Sequence, residues 1–324
     1  MLFSYTTIII IITCIVSFIS FNNDSLKNDL LFSPYDYSNN KKWWILLTHG
    51  FIHADFLHLF FNMYVLYIFG PSLESYFLSS SEIGWIYYVS LYVLGIFFAT
   101  LPSIFKHKNN PNYSSLGASG AVSAIVFAYI VIYPLRELGL ILIPGLFLPG
   151  FIFGILYLFA EHYLSKKQYS NIAHDAHISG SIFGIIFITA SLCFKFGAAP
   201  FHMWVPDIYQ GSLISTTILL STLPKIAVFI VFLKLYFIPF ILLREVWSDI
   251  LIFVGMLSIV IGSLFALTQE NIKRLLAYSA ISNIGFIILS LGLISVDGIH
   301  ASLYYTVVYS LTALASFGII THIT

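Results

Sequence analysis

The chain has 324 residues, of which 59% are hydrophobic and only 9% charged, with a formal net charge of +0. Soluble domains carry roughly a quarter charged residues, so a soluble globular fold is excluded. The balanced charge, with no basic cluster, argues against nucleic acid as a partner. Apolar stretches near the ~20 residues that cross a bilayer recur along the chain and are too long for barrel strands. They predict an all-α polytopic membrane protein. Cys14 and Cys193 both sit in apolar runs, and no disulfide framework is expected from them.

The first span is predicted at about 3–21. No Lys or Arg precedes its apolar core, Ile8 to Phe21, and no small-x-small site follows, so a membrane helix is expected there rather than a cleavable leader. A polar loop, Asn22 to Lys42, ends in the interfacial pair Trp43-Trp44. Further spans are predicted at about 50–70, 84–104, 117–134, 140–162 and 173–192, with Lys106–Ser115 and Ser165–Asn171 as linkers. Past Cys193 the apolar stretches read about 212–237, 247–267, 272–294 and 300–321. Ala198–Gly211, Arg244–Asp249, Thr268–Arg274 and Asp297-Gly298 separate them. Pro224 and Pro239 predict a broken or kinked helix. Loops after odd spans carry Lys27, Lys41, Lys42, Lys106, Lys108, Lys166 and Lys167, and even loops only Arg136. That bias puts the odd loops on the cytoplasmic or matrix side.

The second, fourth and sixth spans enter the membrane from one side, and each brings a polar group near its entry. The fourth opens on Gly117-Ala118-Ser119-Gly120 and the sixth on Ala176-His177-Ile178-Ser179-Gly180, while the second carries His58 and Asn62 four apart on one face. A Ser between small residues at a helix start has open space over its hydroxyl and backbone N–H groups nearby, as a nucleophile requires. An imidazole base and two side-chain donors complete the parts for acyl transfer. With no buried carboxylate evident to orient the imidazole, a Ser119–His177 dyad is expected rather than a triad. His49, His53, His58, His174 and His177 could instead ligate zinc by number alone. A metal and other cofactors are not expected.

Thr48-His49-Gly50-Phe51-Ile52-His53, His58-Leu59-Phe60-Phe61-Asn62, Gly70-Pro71-Ser72-Leu73-Glu74, Gly117-Ala118-Ser119-Gly120 and the AHISGSIFG run resemble, in order and spacing, the rhomboid family of intramembrane serine proteases over about residues 43–190. The resemblance implies a six-helix bundle that cleaves transmembrane protein substrates near the bilayer surface. Ser119 would be the nucleophile and His177 the base. His58 and Asn62, with the Ser119 backbone N–H, would form the oxyanion hole. Gly180 and Gly184, four apart, would let the sixth helix approach the fourth closely.

Beyond Leu192 the text changes. Lys195-Phe196-Gly197-Ala198-Ala199-Pro200-Phe201-His202-Met203-Trp204-Val205-Pro206-Asp207, then Ser221-Thr222-Leu223-Pro224-Lys225, then Thr268 to Ser279, resemble the antiporter-like subunit 2 of respiratory complex I over about residues 193–321. That resemblance implies four to five further transmembrane helices and a proton relay through Lys195 and Lys225, with His202 able to bridge them. Lys273 and Arg274, beside Glu270, are assigned to an interfacial loop. The family's earlier spans, one with a buried Glu, are replaced here by rhomboid-like sequence, and its later spans with another Lys do not follow.

The chain is thus expected to hold a protease domain at 1–192 and a partial complex I domain at 193–324. Its surroundings are the lipid bilayer of a bacterial or mitochondrial inner membrane. The main reading is an intramembrane serine endopeptidase, because its residue set is whole and the relay is cut at both ends. The alternatives are a proton-translocating subunit of NADH-quinone oxidoreductase, with other complex I subunits as partners, and a non-catalytic rhomboid-like scaffold.

Overall fold

A computed structural model describes residues 4–139, 147–166, 174–237 and 244–323. The protein is an all-α polytopic membrane protein, with fourteen α-helices and one short 3-10 turn among the described residues. Seven helices are long and apolar enough to cross a membrane, and three shorter apolar helices accompany them. Each of the ten predicted spans coincides with one of these. The chain forms two compact units, Met1–Ile188 and Thr189–Thr324.

In the first unit the order is α1 (Tyr5–Phe21), α2 (Asp24–Leu30), α3 (Pro34–Asn40), α4 (Ile45–Thr48), a 3-10 turn (His49–Phe51), α5 (Phe56–Ser80), α6 (Gly84–His107) and α7 (Ser119–Ile132). A small hairpin of β1 (Glu137–Gly139) and β2 (Phe147–Pro149) follows, then α8 (Gly150–Lys166) and the start of α9 (His174–Phe196). Helix α1 is built inside out: Thr6, Thr13, Ser17 and Ser20 are buried, while Ile8, Ile11, Ile12, Ile15, Phe18 and Ile19 face outward. In lipid, small polar residues pack helices together and large apolar ones meet the acyl chains. The carboxylate of Glu74 on α5 caps the first turn of α1, accepting from Tyr5 N at 2.8 Å, Thr6 N at 3.0 Å and Thr6 Oγ1 at 2.6 Å. Short α7 is buried at every position from Gly120 to Val131, and α5, α6 and α8 pack around it.

Several boundaries differ from those expected. The fifth span starts at Gly150, because Glu137–Gly139 pairs with Phe147–Pro149 as antiparallel strands. Its expected start at 140, the rest of the linker reaching Asn171, Lys167 and Pro239 lie outside the described residues. The polar loop from Asn22 is largely helical: the side chains of Asn23 and Ser33 cap α2 and α3, as short polar residues do at helix starts.

The second unit takes the end of α9, then α10 (Trp204–Gly211), α11 (Ile214–Phe237), α12 (Arg244–Ala266), α13 (Ile272–Gly292) and α14 (Val296–Ile323). Helix α11 runs unbroken through Pro224. Arg244–Asp249 belongs to α12 rather than to a linker. Lys273 and Arg274 are not in a loop either. Asn271 Oδ1 accepts from both their N–H groups and starts α13 there. Lys273 Nζ reaches Ser212 O at 3.0 Å, and Arg274 pairs with Asp207 at 2.6 Å. Asp297 and Gly298 likewise lie in the first turn of α14, where Ser295 Oγ accepts from Gly298 N at 2.9 Å.

Candidate functional site

The strand leading to Ser119 is held at three points. Phe32 and Ser115 exchange backbone hydrogen bonds of 3.0 and 2.9 Å, Gly117 N donates to His49 O at 2.9 Å, and Ala118 N donates to His53 Nε2 at 3.3 Å. The last bond fixes the His53 tautomer. Ser17 Oγ spends its one hydrogen on Phe51 O at 3.0 Å, so His53 Nδ1–H donates to Ser17 Oγ at 2.9 Å and Nε2 accepts. Burial, with the nearby His58, pushes His53 down to about 3 against a small opposing pull from Asp55. Burial also pushes His49 down to about 4. Both rings are neutral struts.

Gly117 takes φ +116°, a backbone that side chains rarely adopt, and a Cβ there would lie 2.6 Å from His58 Cε1 and 2.8 Å from Nε2. The glycine therefore lets the His58 ring lie against the loop just before Ser119. Ser119 itself opens α7, where the first helical N–H groups have no partner within the helix. It lines a small cavity of about 20 Å³ with His49, Ile96, Ala99, Gly120 and Ala176. Asn62 is buried and donates its amide to His58 O at 2.9 Å, one turn back on α5. This bond uses one of its two amide hydrogens.

His177 lies in the first turn of α9, which meets α7 backbone to backbone: a Cβ on Gly180 would sit 2.0 Å from Gly120 O, and one on Gly184 2.3 Å from Ala124 O. Among the described residues no hydrogen bond joins Ser119 to His177. His177 Nδ1 is 3.0 Å from Glu161 Oε1, and His174 Nδ1 is 2.6 Å from Glu161 Oε2. Glu161 is 8% exposed. This corrects the expectation that no buried carboxylate orients the imidazole, and the sequence signal was present: Glu161 is the single acid in the apolar run of α8. Of the histidines considered for zinc, His49, His53 and His58 are engaged separately. Among the described residues, Glu161, His174 and His177 are the group whose ligand atoms lie within 4.8 Å of one another, and both of its His–Glu spacings are those of hydrogen bonds.

In the second unit α9 ends at Phe196, and Gly197 closes it at φ +81°. Lys225 on α11 is fully buried beside that end. Its Nζ donates to Phe196 O at 2.5 Å, lies 3.5 Å from Lys195 O, and stands 5.3 Å from the Trp204 ring centre. A helix C-terminus and an aromatic face both attract a cation. No carboxylate pairs with Lys225 among the described residues. The Lys195 side chain is exposed, so the chain offers Lys225 the backbone of Lys195 rather than a second buried amine. His202 is buried, and its Nδ1 has no partner among the described residues.

Residues 40–193 match the family model of the rhomboid domain, and residues 146–324 match that of the NADH:quinone oxidoreductase/Mrp antiporter transmembrane family, so the two overlap across 146–193. Among curated proteins, the chain is similar to NADH-quinone oxidoreductase subunit N of Hydrogenovibrio crunogenus, at 46% identity over 138 residues, 43% of this chain and 29% of that protein. The subunit N of Azoarcus sp. is 39% identical over 165 residues, 48% of this chain and 33% of that protein. The subunit N of Coxiella burnetii is 43% identical over 139 residues, 43% of this chain and 29% of that protein. The chain thus spans about a third of the length of the curated relatives it matches. A chain of respiratory complex I from Thermus thermophilus aligns at a TM-score of 0.33 and 18% identity, over 97% of this chain and 70% of that one. With more than half of its residues inside the match, the protein belongs to the NADH:quinone oxidoreductase/Mrp antiporter transmembrane family.

Proposed function

We propose that residues 189–324 form a proton-translocating piece of an NADH:quinone oxidoreductase membrane arm, acting beside other subunits of that complex in an energy-converting inner membrane. The observation that carries this reading is Lys225, an amine with full burial and no carboxylate partner among the described residues. Such a group is costly in a membrane and is retained where it has work to do. On the carbonyls of Lys195 and Phe196 the ammonium is stabilised. A neutral amine keeps a hydrogen to donate there, so the site tolerates both protonation states. Lys225→Met removes the exchangeable proton while keeping an apolar side chain of similar length. Introduced into the protein in its native membranes, it should leave assembly intact and lower NADH-driven proton uptake; unchanged uptake would contradict the reading.

A second reading applies to residues 4–188, an intramembrane serine protease with Ser119 as nucleophile, His177 as base, and His58 and Asn62 as oxyanion donors. It is favoured by the braced loop that presents Ser119 at a helix start beside His58, with the His177 helix packed directly on it. This order of preference reverses that of the sequence analysis, because the subunit N similarity reaches 46% identity while the front half rests on a domain model. A serine-directed fluorophosphonate should label the protein at Ser119, and Ser119→Ala should abolish labelling. Binding of transmembrane helices unaltered by Ser119→Ala, without labelling of the wild type, would make this unit a scaffold.

A further inference from the structure

We propose that Glu161 is a positioning residue that holds His177 in the Nδ1-protonated tautomer, with His174 locking the carboxylate from its other oxygen. The proposal rests on the protease reading of the first unit and gives its expected dyad a third member. An ionised carboxylate only accepts hydrogen bonds. Glu161 Oε1 at 3.0 Å from His177 Nδ1 and Oε2 at 2.6 Å from His174 Nδ1 therefore require a hydrogen on each Nδ1. Each oxygen has its own donor, so the carboxylate cannot swing away from His177 without giving up His174. The three groups are well enclosed, with side chains 11%, 6% and 15% exposed for Glu161, His174 and His177.

The consequence for His177 is specific. With its proton fixed on Nδ1, Nε2 carries the free lone pair and is the atom able to take the hydroxyl proton of Ser119 as Oγ attacks an acyl carbon. The resulting imidazolium is then paired with Glu161. As the tetrahedral intermediate collapses and its C–N bond breaks, Nε2–H gives the proton to the leaving amine. Nε2 then takes a proton from the water that attacks the acyl-enzyme and returns it to Ser119 Oγ as the ester bond breaks, and Glu161 keeps its charge throughout. Elsewhere, replacing the orienting carboxylate of such a constellation by an amide lowers kcat about 10⁴-fold by imposing the wrong tautomer. Here Glu161 comes from α8 and its two histidines from the first turn of α9, so the device also ties those helices together at the depth of the candidate base.

The test uses the full chain in lipid, with ¹⁵N-labelled histidine, and assigns the His177 signals by their loss in His177→Asn. The wild type is expected to show a protonated Nδ1 and a bare Nε2 at His177, and Glu161→Gln should shift it toward the Nε2-protonated form. A wild-type His177 already protonated on Nε2 would overturn the proposal, as would a tautomer unmoved by Glu161→Gln. A wild-type spectrum altered by chelator would also overturn it, pointing to a bound cation in place of the hydrogen bonds. On a transmembrane reporter, Glu161→Gln should lower kcat by about 10²–10⁴-fold with KM unchanged, and Glu161→Asp should recover part of it. Equal losses in kcat from the two variants, with a raised KM, would indicate general damage and refute positioning. Failure of fluorophosphonate to label wild-type Ser119 would refute the protease reading by itself, while the tautomer measurement still decides whether Glu161 acts on His177.

Discussion

Placing one methyl group on Gly180 should separate the two halves of the candidate protease site. The Cβ of Gly180→Ala would lie 2.0 Å from Gly120 O, 2.8 Å from its carbonyl carbon and 3.0 Å from its Cα. All three atoms are backbone of α7, so no side chain can turn aside. Van der Waals contact requires roughly 3.2 Å or more, and α9 must retreat from α7 by about 1 Å. Overpacking of this kind costs about 1–3 kcal/mol, and a misplacement of about 1 Å between reacting groups lowers rates about 10²-fold. The assay is the rate of fluorophosphonate labelling at Ser119 with the melting temperature measured beside it, using Gly211→Ala as control because its Cβ meets nothing within 4 Å. Gly180→Ala should melt several degrees lower and label about 100-fold more slowly. Labelling and melting both at wild-type values would refute the packing argument and, with it, the placement of His177 beside α7.

Glu74→Ala removes the acceptor of three donors at the start of α1, two of them backbone N–H groups. Hydrogen bonds to a charged group contribute about 1.5–3 kcal/mol each, so the loss should exceed about 3 kcal/mol; an unchanged melting temperature would contradict this. Acidification should destabilise the first unit through its neutral struts. His49 and His53 move from 6.5 in the unfolded chain to about 4 and about 3 when folded, so between those values the unfolded state binds more protons. Their contribution is therefore full above about 6.5 and is lost as pH falls toward 3, about 2 kcal/mol each by pH 5. A melting temperature measured from pH 7 to 5 should fall, and should fall less in His53→Gln. Lys225→Met should leave the second unit as stable as the wild type or more so, since an apolar replacement of a buried charge is often neutral or stabilising; a large drop in melting temperature would show that Lys225 is structural.

Much of the architecture was legible because bilayer thickness sets one dominant length scale. Ten apolar runs gave ten helices, and their order placed Ser119, His58 and His177 at the starts of alternate spans. Boundaries failed where local chemistry outranked hydropathy. Asn23, Ser33 and Asn271 each cap a helix within stretches that read as polar loop, and a short hairpin delays α8 to Gly150. Pairings across the fold were the least legible. Glu161 is a lone acid in an apolar run, yet nothing in the spacing showed that both His174 and His177, on the next helix, face it. His53 was visible in a motif, but its bond to Ala118 depends on how the chain returns from α6. Lys195 and Lys225 were both expected in a proton relay, whereas one is exposed and the other fully buried.

The most direct measurement is affinity purification of the full chain from its native membranes in mild detergent, followed by a native gel stained for NADH dehydrogenase activity. Migration with the other membrane subunits of an NADH:quinone oxidoreductase, in an active band, is the predicted result. A chain that migrates alone, with those subunits intact in a separate active band, would contradict the respiratory assignment.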